Sequence, residues 1–349
     1  MRVVVTGATG NVGTSVVEAL VGDDAVKSIV GVARRVPDLT FPKTTWAAAD
    51  VAGDDLEPLF EGADCVIHLA WLIQPGRDLA TLEAVNVEGS ARVFEAAAAA
   101  GVGSLVYASS VGAYSPGPKD RRVEEDWPTE GIPTAYYATQ KAEVERRLDL
   151  FELEAPDVRV VRLRPALIFK REAASAIRRL FVGPLLPSPL VRRSLIPFVP
   201  AVDRLIFQAV HSRDVGEAYR LAAVGNAEGA FNNAAEPVLD ASQLAEALGA
   251  KPIPFHAGAL RALAGLAWRL RLQPTEPGWL DMARAVPLMD TTRARTELGW
   301  EPKRGADEAL IELLDGIHDS ADFSTPPLAR RAGGPLRVKE LLTGIGSRP

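Results

Sequence analysis

A chain of 349 residues with 47 % hydrophobic side chains is long enough for one large domain, or a domain with a smaller appendage, around a sizeable core. Its formal charge of −6 and the scatter of basic pairs such as Arg34-Arg35 and Arg192-Arg193 argue against a nucleic-acid-binding surface. One cysteine rules out an intrachain disulfide framework, four histidines present no metal-ligand constellation, and no apolar run is long enough to span a bilayer. Met1 leads at once into an apolar run, leaving no room for a charged leader, so the expectation is a cytoplasmic protein.

In chain order, the first apolar run, Val3-Val4-Val5, enters Thr6-Gly7-Ala8-Thr9-Gly10-Asn11-Val12-Gly13, and an amphipathic stretch (Val16, Val17, Leu20) follows. Strand, glycine turn and helix start are the context in which a glycine triplet binds a dinucleotide. Gly7 can take backbone angles closed to other residues, Gly10 lets the main chain approach a pyrophosphate, and Gly13 allows helix and strand to pack closely. The unpaired amides at the helix start then face the phosphates. The alternative is a structural turn.

Apolar runs then alternate with helical patterns: Ser28–Ala33, Thr45–Ala49, Cys65–Ala70, Ser104–Ser109 and Val158–Leu163, separated by Val12–Val21, Ala84–Ala100 and Ala135–Phe151. That alternation predicts parallel strands with crossover helices, a doubly wound α/β sheet. The third run ends in His68-Leu69-Ala70, whose small residues would let a nicotinamide ribose lie against the backbone. His68 itself, inside an apolar strand, reads as a hydrogen-bonded structural histidine in preference to a catalyst. The fourth run ends in Ala108-Ser109-Ser110, placing hydroxyls at the carboxyl edge of the sheet, where open α/β folds bind ligands. In Tyr137-Ala138-Thr139-Gln140-Lys141 the phenol and the ammonium lie just over one helical turn apart and so share a face. A cation beside a phenol lowers its pKa and makes tyrosine usable as a general acid or base; the alternative is an ordinary surface pair. Tyr136, the competing phenol, has only Gln140 at the same offset.

After Leu163 the texture changes. Pro184, Pro187, Pro189, Pro197 and Pro200 punctuate an apolar, arginine-studded excursion that looks like a substrate cover, carrying Phe181, Leu185, Leu186, Leu190, Leu195, Ile196 and Phe198. Regular structure is expected to resume near Ile206–Leu221, and beyond about Ser320 the chain reads as a tail with a short helix around Val338–Leu342.

The ordered set of motifs resembles the extended short-chain dehydrogenase/reductases, the group containing the NAD-dependent epimerases and dehydratases. The match runs through Thr6 to Gly13, His68-Leu69-Ala70, Asn86-Val87-Glu88-Gly89, Ala108-Ser109-Ser110 and Tyr137 to Lys141. It continues through Leu163-Arg164-Pro165, His211 to Ala218 and Leu298-Gly299-Trp300-Glu301-Pro302, covering residues 1 to about 305. The resemblance implies a Rossmann-like sheet with a smaller C-terminal substrate-binding region. It divides the chain into a cofactor domain (1–168), a substrate region (169–317, of which about 206–222 returns to the first domain) and a tail (318–349). It further implies Tyr137 as acid/base, Lys141 as its pKa modifier and ribose ligand, Ser110 as the substrate-orienting hydroxyl, and Asp50-Val51 as the adenine-contacting pair. NAD-preferring members usually carry an acid about twenty residues past the glycines, where this chain has Arg34 and Arg35. Two guanidiniums suit a 2′-phosphate, which favours NADP over NAD; the alternative is a solvated pair.

Three functions stand open at this stage. The first is a nucleotide-sugar epimerase or dehydratase, with Arg178, Arg179, Arg192, Arg193 and Arg204 as diphosphate contacts. The second is a net dehydrogenase or reductase of an apolar, steroid- or terpenoid-like alcohol or ketone, argued from the greasy excursion. The third is a non-catalytic NAD(P)-binding sensor, against which the intact Ser110, Tyr137 and Lys141 speak. The expected partner is a small-molecule substrate, with a homodimer as the assembly considered.

Overall fold

The computed structural model describes residues 1–74, 76–182 and 196–329. β1 (Arg2–Thr6), α1 (Asn11–Val21), β2 (Ser28–Ala33), β3 (Thr44–Ala48), α2 (Glu57–Phe60) and β4 (Cys65–His68) open the chain. α3 (Leu79–Glu83) runs through a π turn (Ala84–Glu88) into α4 (Gly89–Ala99), then β5 (Ser104–Ala108), β6 (Arg122–Val123), α5 (Tyr136–Glu154), β7 (Arg159–Pro165), β8 (Leu167–Phe169) and α6 (Ala174–Ile177) follow. Beyond residue 195 come β9 (Phe198–Val202), β10 (Phe207–His211), α7 (Ser212–Val224), β11 (Gly229–Asn233), β12 (Ala235–Leu239), α8 (Ala241–Leu248) and β13 (Lys251–Phe255). The chain continues with α9 (Ala257–Arg269), α10 (Gly278–Ala285), β14 (Leu288–Met289), α11 (Thr292–Thr296) and α12 (Ala306–Asp319).

Seven strands form one sheet in the order β11-β7-β5-β4-β1-β2-β3, every neighbouring pair parallel. The order runs outward from β1 in both directions, so the switch point lies between β1 and β4, and the crevice beyond their carboxyl ends is where such sheets bind ligands. Alternate residues of β1 serve opposite faces, as the pleat requires. Val3 and Val5 pack with Val16, Val17 and Leu20 of α1 and with Val215, Ala218 and Tyr219 of α7. Val4 packs on the other side with Phe94 of α4 and Val144, Leu148 and Phe151 of α5. A fully buried side chain of this size contributes about 1.5–3 kcal/mol, which is why the strands read as nearly unbroken apolar runs.

The later elements build smaller units: β12-β10-β8, the parallel pair β13-β9, and β14 with β6. Pro200 lies within β9, and Pro252 and Pro254 within β13, although proline in a sequence argues against a strand. A two-strand ribbon has a free edge on each strand, so the missing N–H groups cost no ladder bond there. The part of the expected tail that is described is packed: the Thr325 hydroxyl donates to the Thr9 carbonyl at 2.8 Å and Leu328 is buried. The expected helix around Val338–Leu342 lies outside the described residues, as do Pro184, Leu185, Leu186, Pro187, Pro189, Leu190, Arg192, Arg193 and Leu195 of the excursion.

Candidate active site

The glycine turn has the geometry that its sequence requires. Gly7 takes φ +71° and its N–H donates to the Val32 carbonyl at 2.9 Å. A Cβ there would stand 2.7 Å from the Ala70 nitrogen and 2.8 Å from the Leu69 carbonyl carbon, so the end of β4 is seated against the turn. A Cβ on Gly13 would stand 2.3 Å from the Gly7 carbonyl oxygen. Gly10 caps α1 with no side-chain hydrogen bond, which leaves the first-turn amides open to an anion. A cradle that any side chain would fill, at an uncapped helix start, fits a dinucleotide pyrophosphate. Asn11 donates to the Ile168 carbonyl at 3.2 Å, and its buried Oδ1 has no partner. Val12 lies beside it, half-buried on the α1 side of the core.

Around this cradle, Arg34 and Arg35 are exposed immediately beyond the end of β2. Asp50 follows β3 with its carboxylate accepting from the Ala52 amide at 3.1 Å, and buried Val51 gives its carbonyl to Arg92 at 3.2 Å. His68 is buried, its Nδ1 2.7 Å from the Thr6 hydroxyl and its Nε2 2.9 Å from the Ser90 hydroxyl. Burial, aided by the Lys141 charge, lowers its pKa to about 3. It is a neutral structural histidine.

On the other side of the switch point, α5 begins at Tyr136, so Tyr137 and Lys141 occupy its first turns and project back over β5. The Lys141 ammonium donates to the Ala108 carbonyl at 2.6 Å and lies 3.4 Å from the Tyr107 hydroxyl. Ser110 accepts from the Gly112 amide at 3.0 Å, and a Cβ built on Gly112 would stand 3.0 Å from the Tyr137 ring, so the phenol lies over this turn. The structure thus brings Ser110, Tyr137 and Lys141 together at the carboxyl edge of β5.

The electrostatics differ from the simple expectation. Burial raises the Tyr137 pKa, with the nearby Ser110 hydroxyl opposing it. Burial holds the Lys141 ammonium well below its usual range, while Glu145, one turn further along α5, opposes that. The ammonium is 5.9 Å from the Tyr137 ring centroid and only 3.4 Å from that of Trp71. Desolvation therefore outweighs the pull of Lys141 on the phenol, and Tyr137 rests protonated. Tyr136 points elsewhere, donating to the Ile73 carbonyl at 2.5 Å.

Trp71, Trp279 and Glu145 had little or no mark in the sequence, whereas Asn86 belongs to the motif Asn86-Val87-Glu88-Gly89. Trp71 stands edge-on to Tyr137 (centroids 5.9 Å) and Trp279 of α10 lies 5.0 Å from it, with Phe181 beyond at 5.0 Å from Trp279. Trp71 directly follows Leu69-Ala70 and was legible by position; Trp279 has no local signal. Glu145, at the same offset from Lys141 as Lys141 from Tyr137, is 1 % exposed and accepts from Arg164 at 2.8 and 3.0 Å, Arg162 at 3.0 Å and Ser109 at 2.5 Å. In the π turn, Asn86 accepts from the Leu72 amide at 2.7 Å and donates to its carbonyl at 2.8 Å, fixing the chain that carries Trp71.

A glycine cradle at an uncapped helix start thus lies beside a serine–tyrosine–lysine cluster at the carboxyl edge of a doubly wound parallel sheet. The model of the NAD dependent epimerase/dehydratase family matches residues 3–176, and that part of the chain is a domain of this family. It is 28 % identical over 316 residues to an uncharacterized protein of Mycobacterium tuberculosis, a match that covers 90 % of this chain and 30 % of that one. The chain thus spans 30 % of the length of the first curated relatives it matches. It is also 28 % identical over 342 residues to the UDP-glucose 4-epimerase of Mycolicibacterium smegmatis, covering 93 % of this chain and 98 % of that one. The solved UDP-glucose 4-epimerase of Thermus thermophilus, a complex with NAD, superposes with a TM-score of 0.67 at 23 % identity, over 91 % of this chain and 99 % of that one.

Proposed function

We propose that this chain carries out NAD(P)-dependent chemistry at a secondary alcohol or ketone carbon of a nucleotide sugar, in the manner of an epimerase or dehydratase. The observation that carries this reading is the convergence of Ser110, Tyr137 and Lys141 at the carboxyl edge of β5, where the Tyr137 ring lies over Gly112 and the Lys141 ammonium bonds the Ala108 carbonyl. Gly7, Thr9, Gly10, Asn11, Val12 and Gly13 hold the pyrophosphate, Asp50 and Val51 meet the adenine, and Leu69, Ala70 and Lys141 meet the nicotinamide ribose. Arg34, with Arg35 beside it, favours NADP. A bound nicotinamide supplies a hydride acceptor and donor. Ser110 positions the reacting oxygen of the substrate, and Tyr137 gives or takes its proton. Because burial keeps the phenol protonated, Tyr137 starts as the acid, and the Ser110 hydroxyl supports the phenolate when it acts as the base.

A second function, net oxidation or reduction of an apolar alcohol or ketone, is favoured by the aromatic walls at Tyr137, Trp71 and Trp279, with Met282 of α10 close to the same ring. The purified chain, assayed with UDP-sugars and with apolar ketones in the presence of each cofactor, separates the two. A recycling epimerase interconverts sugar epimers with no net change in nicotinamide absorbance and retains its cofactor through purification. Net consumption of NADPH or NADH by the ketones, with no UDP-sugar turnover, would replace the first reading by the second.

A further inference from the structure

Among the described residues no helix is long and apolar enough to cross a membrane. One element nevertheless has the make-up of a helix that lies on one. None of the residues of α9 is buried, whereas a helix of a folded domain normally sets an apolar stripe into the core. Leu263, Leu266 and Leu270, at i, i+3 and i+7, share a face and are 56, 54 and 59 % exposed, and Leu272 follows at 46 %. The preceding strand adds Ile253 and Phe255, and its partner β9 adds Phe198, all exposed. Exposed apolar side chains gathered on one face of a helix mark a contact with something outside the chain.

The charge of the segment identifies the contact. From residue 247 to 275 there is no Asp or Glu, while Lys251, Arg261, Arg269 and Arg271 fall within it, in a chain whose net charge is −6. Arg261 is held by Asp281 at 2.8 Å; Arg269 and Arg271 are exposed at the end of α9 that carries Leu270 and Leu272. Trp268, with the Arg77 guanidinium 3.5 Å over its ring, adds an amphipathic aromatic with a cation attached. Leucines, a tryptophan and arginines without acids complement a layer of anionic headgroups over hydrocarbon.

We propose that α9 docks this enzyme on an anionic lipid bilayer surface. The leucines enter the headgroup–acyl boundary, and Arg269 and Arg271 meet the phosphates. The inference goes beyond the proposed activity and stands without it. The face is continuous with the active-site wall: the Thr275 hydroxyl, between α9 and α10, donates to the Phe181 carbonyl at 3.3 Å, and Phe181 packs on the Trp279 that flanks Tyr137.

The test is co-sedimentation of the full chain with vesicles of phosphatidylcholine alone and of phosphatidylcholine mixed with phosphatidylglycerol. Binding to the mixed vesicles is expected, with loss in high salt and little binding to phosphatidylcholine alone. Arg269→Gln with Arg271→Gln should weaken it more than about tenfold, at roughly fivefold per arginine. Leu266→Glu with Leu270→Glu should weaken it by at least about tenfold. These side chains are exposed, so the melting temperature of both variants should match wild type. No binding to the anionic vesicles, equal binding to both compositions, or variants that bind as well as wild type would overturn the proposal. So would a concentration-dependent self-association in light scattering that the leucine variant abolishes, which would assign the face to a second copy of the chain.

Discussion

At the scale of single residues, the site divides into groups that a sequence reveals by spacing and groups that only the fold brings in. The offset of Tyr137 and Lys141 is a helix property and the serine pair ends an apolar run, so both show locally in the sequence, whereas Ser110 in particular is pointed to only by the family resemblance. Trp279 shows in neither way, since it arrives from a distant helix with no pattern linking it to Tyr137. If Tyr137 relays the proton, Tyr137→Phe should lower turnover about a hundredfold or more with cofactor binding nearly intact. Tyr136→Phe, which loses only the bond to the Ile73 carbonyl, should keep most activity. Equal damage from both would remove the assignment. Lys141→Met should weaken cofactor affinity; unchanged affinity would leave Lys141 a packing residue under Trp71. For the cofactor, exposed Arg34 at the end of β2 is the residue to change. A guanidinium bonded to a 2′-phosphate is worth about 1.5–3 kcal/mol, so calorimetry should find NADP at least several-fold tighter than NAD, and Arg34→Asp should reverse the order. Tighter binding of NAD to wild type would make Arg34 and Arg35 a solvated pair.

At the scale of elements, the first half of the chain announces itself and the second does not. β2 spans the predicted Ser28–Ala33, and α1 and β5 differ from their predicted bounds by one residue at an end. Buried parallel strands and the helices crossing over them are repetitive in hydrophobicity, so their pattern is local. The predicted helix over Ala84–Ala100 instead starts at Leu79 and contains a π turn, whose extra residue turns Asn86 toward the backbone of Leu72. No periodicity shows that. The ribbon β9–β13 was illegible because its prolines are tolerated only at free edges. The glycine turn provides the sharpest element-level test. In Gly13→Val the new Cβ would press on the Gly7 carbonyl oxygen, a backbone atom, so β1, the turn and α1 must separate. The melt should shift down by an overpacking cost of about 1–3 kcal/mol, and dinucleotide binding should be lost. Gly22→Ala, at the far end of α1, meets nothing nearer than 3.5 Å and should be close to neutral. A Gly13→Val protein with wild-type stability and affinity would show that the close approach is not required.

At the scale of the whole molecule, buried titratable groups couple the fold to pH, and His68 and Glu145 act in the same direction in the acid range. His68 ends β4 with both ring nitrogens engaged, and burial lowers its pKa from 6.5 to about 3. Below pH 6.5 the unfolded chain gains a proton there that the folded chain refuses, so this contribution is complete above 6.5 and is lost as the pH falls toward 3. Glu145 joins α5 to the adjoining strand through Arg164 and Arg162. Burial would raise its pKa, but the two guanidiniums and Ser109 outweigh it and bring it from 4.5 to about 2. Its contribution is complete above 4.5 and is lost on descent toward 2. Below about pH 6.5 His68 therefore adds to the loss that Lys141, held low by burial, already contributes on the way down from its ordinary range, and the fall steepens between 4.5 and 3, where His68 and Glu145 both act, each at about 1.4 kcal/mol per pH unit. His211, lowered by burial although Glu312 opposes the shift, adds to the upper window, so the slope alone does not single out His68. His68→Gln does, because an amide can donate to one hydroxyl and accept from the other without titrating. Urea unfolding of wild type and variant from pH 7 to 5 should give a shallower loss for the variant, even from a lower starting stability. Parallel slopes would place the acid sensitivity at His211 or elsewhere and remove His68 from the account.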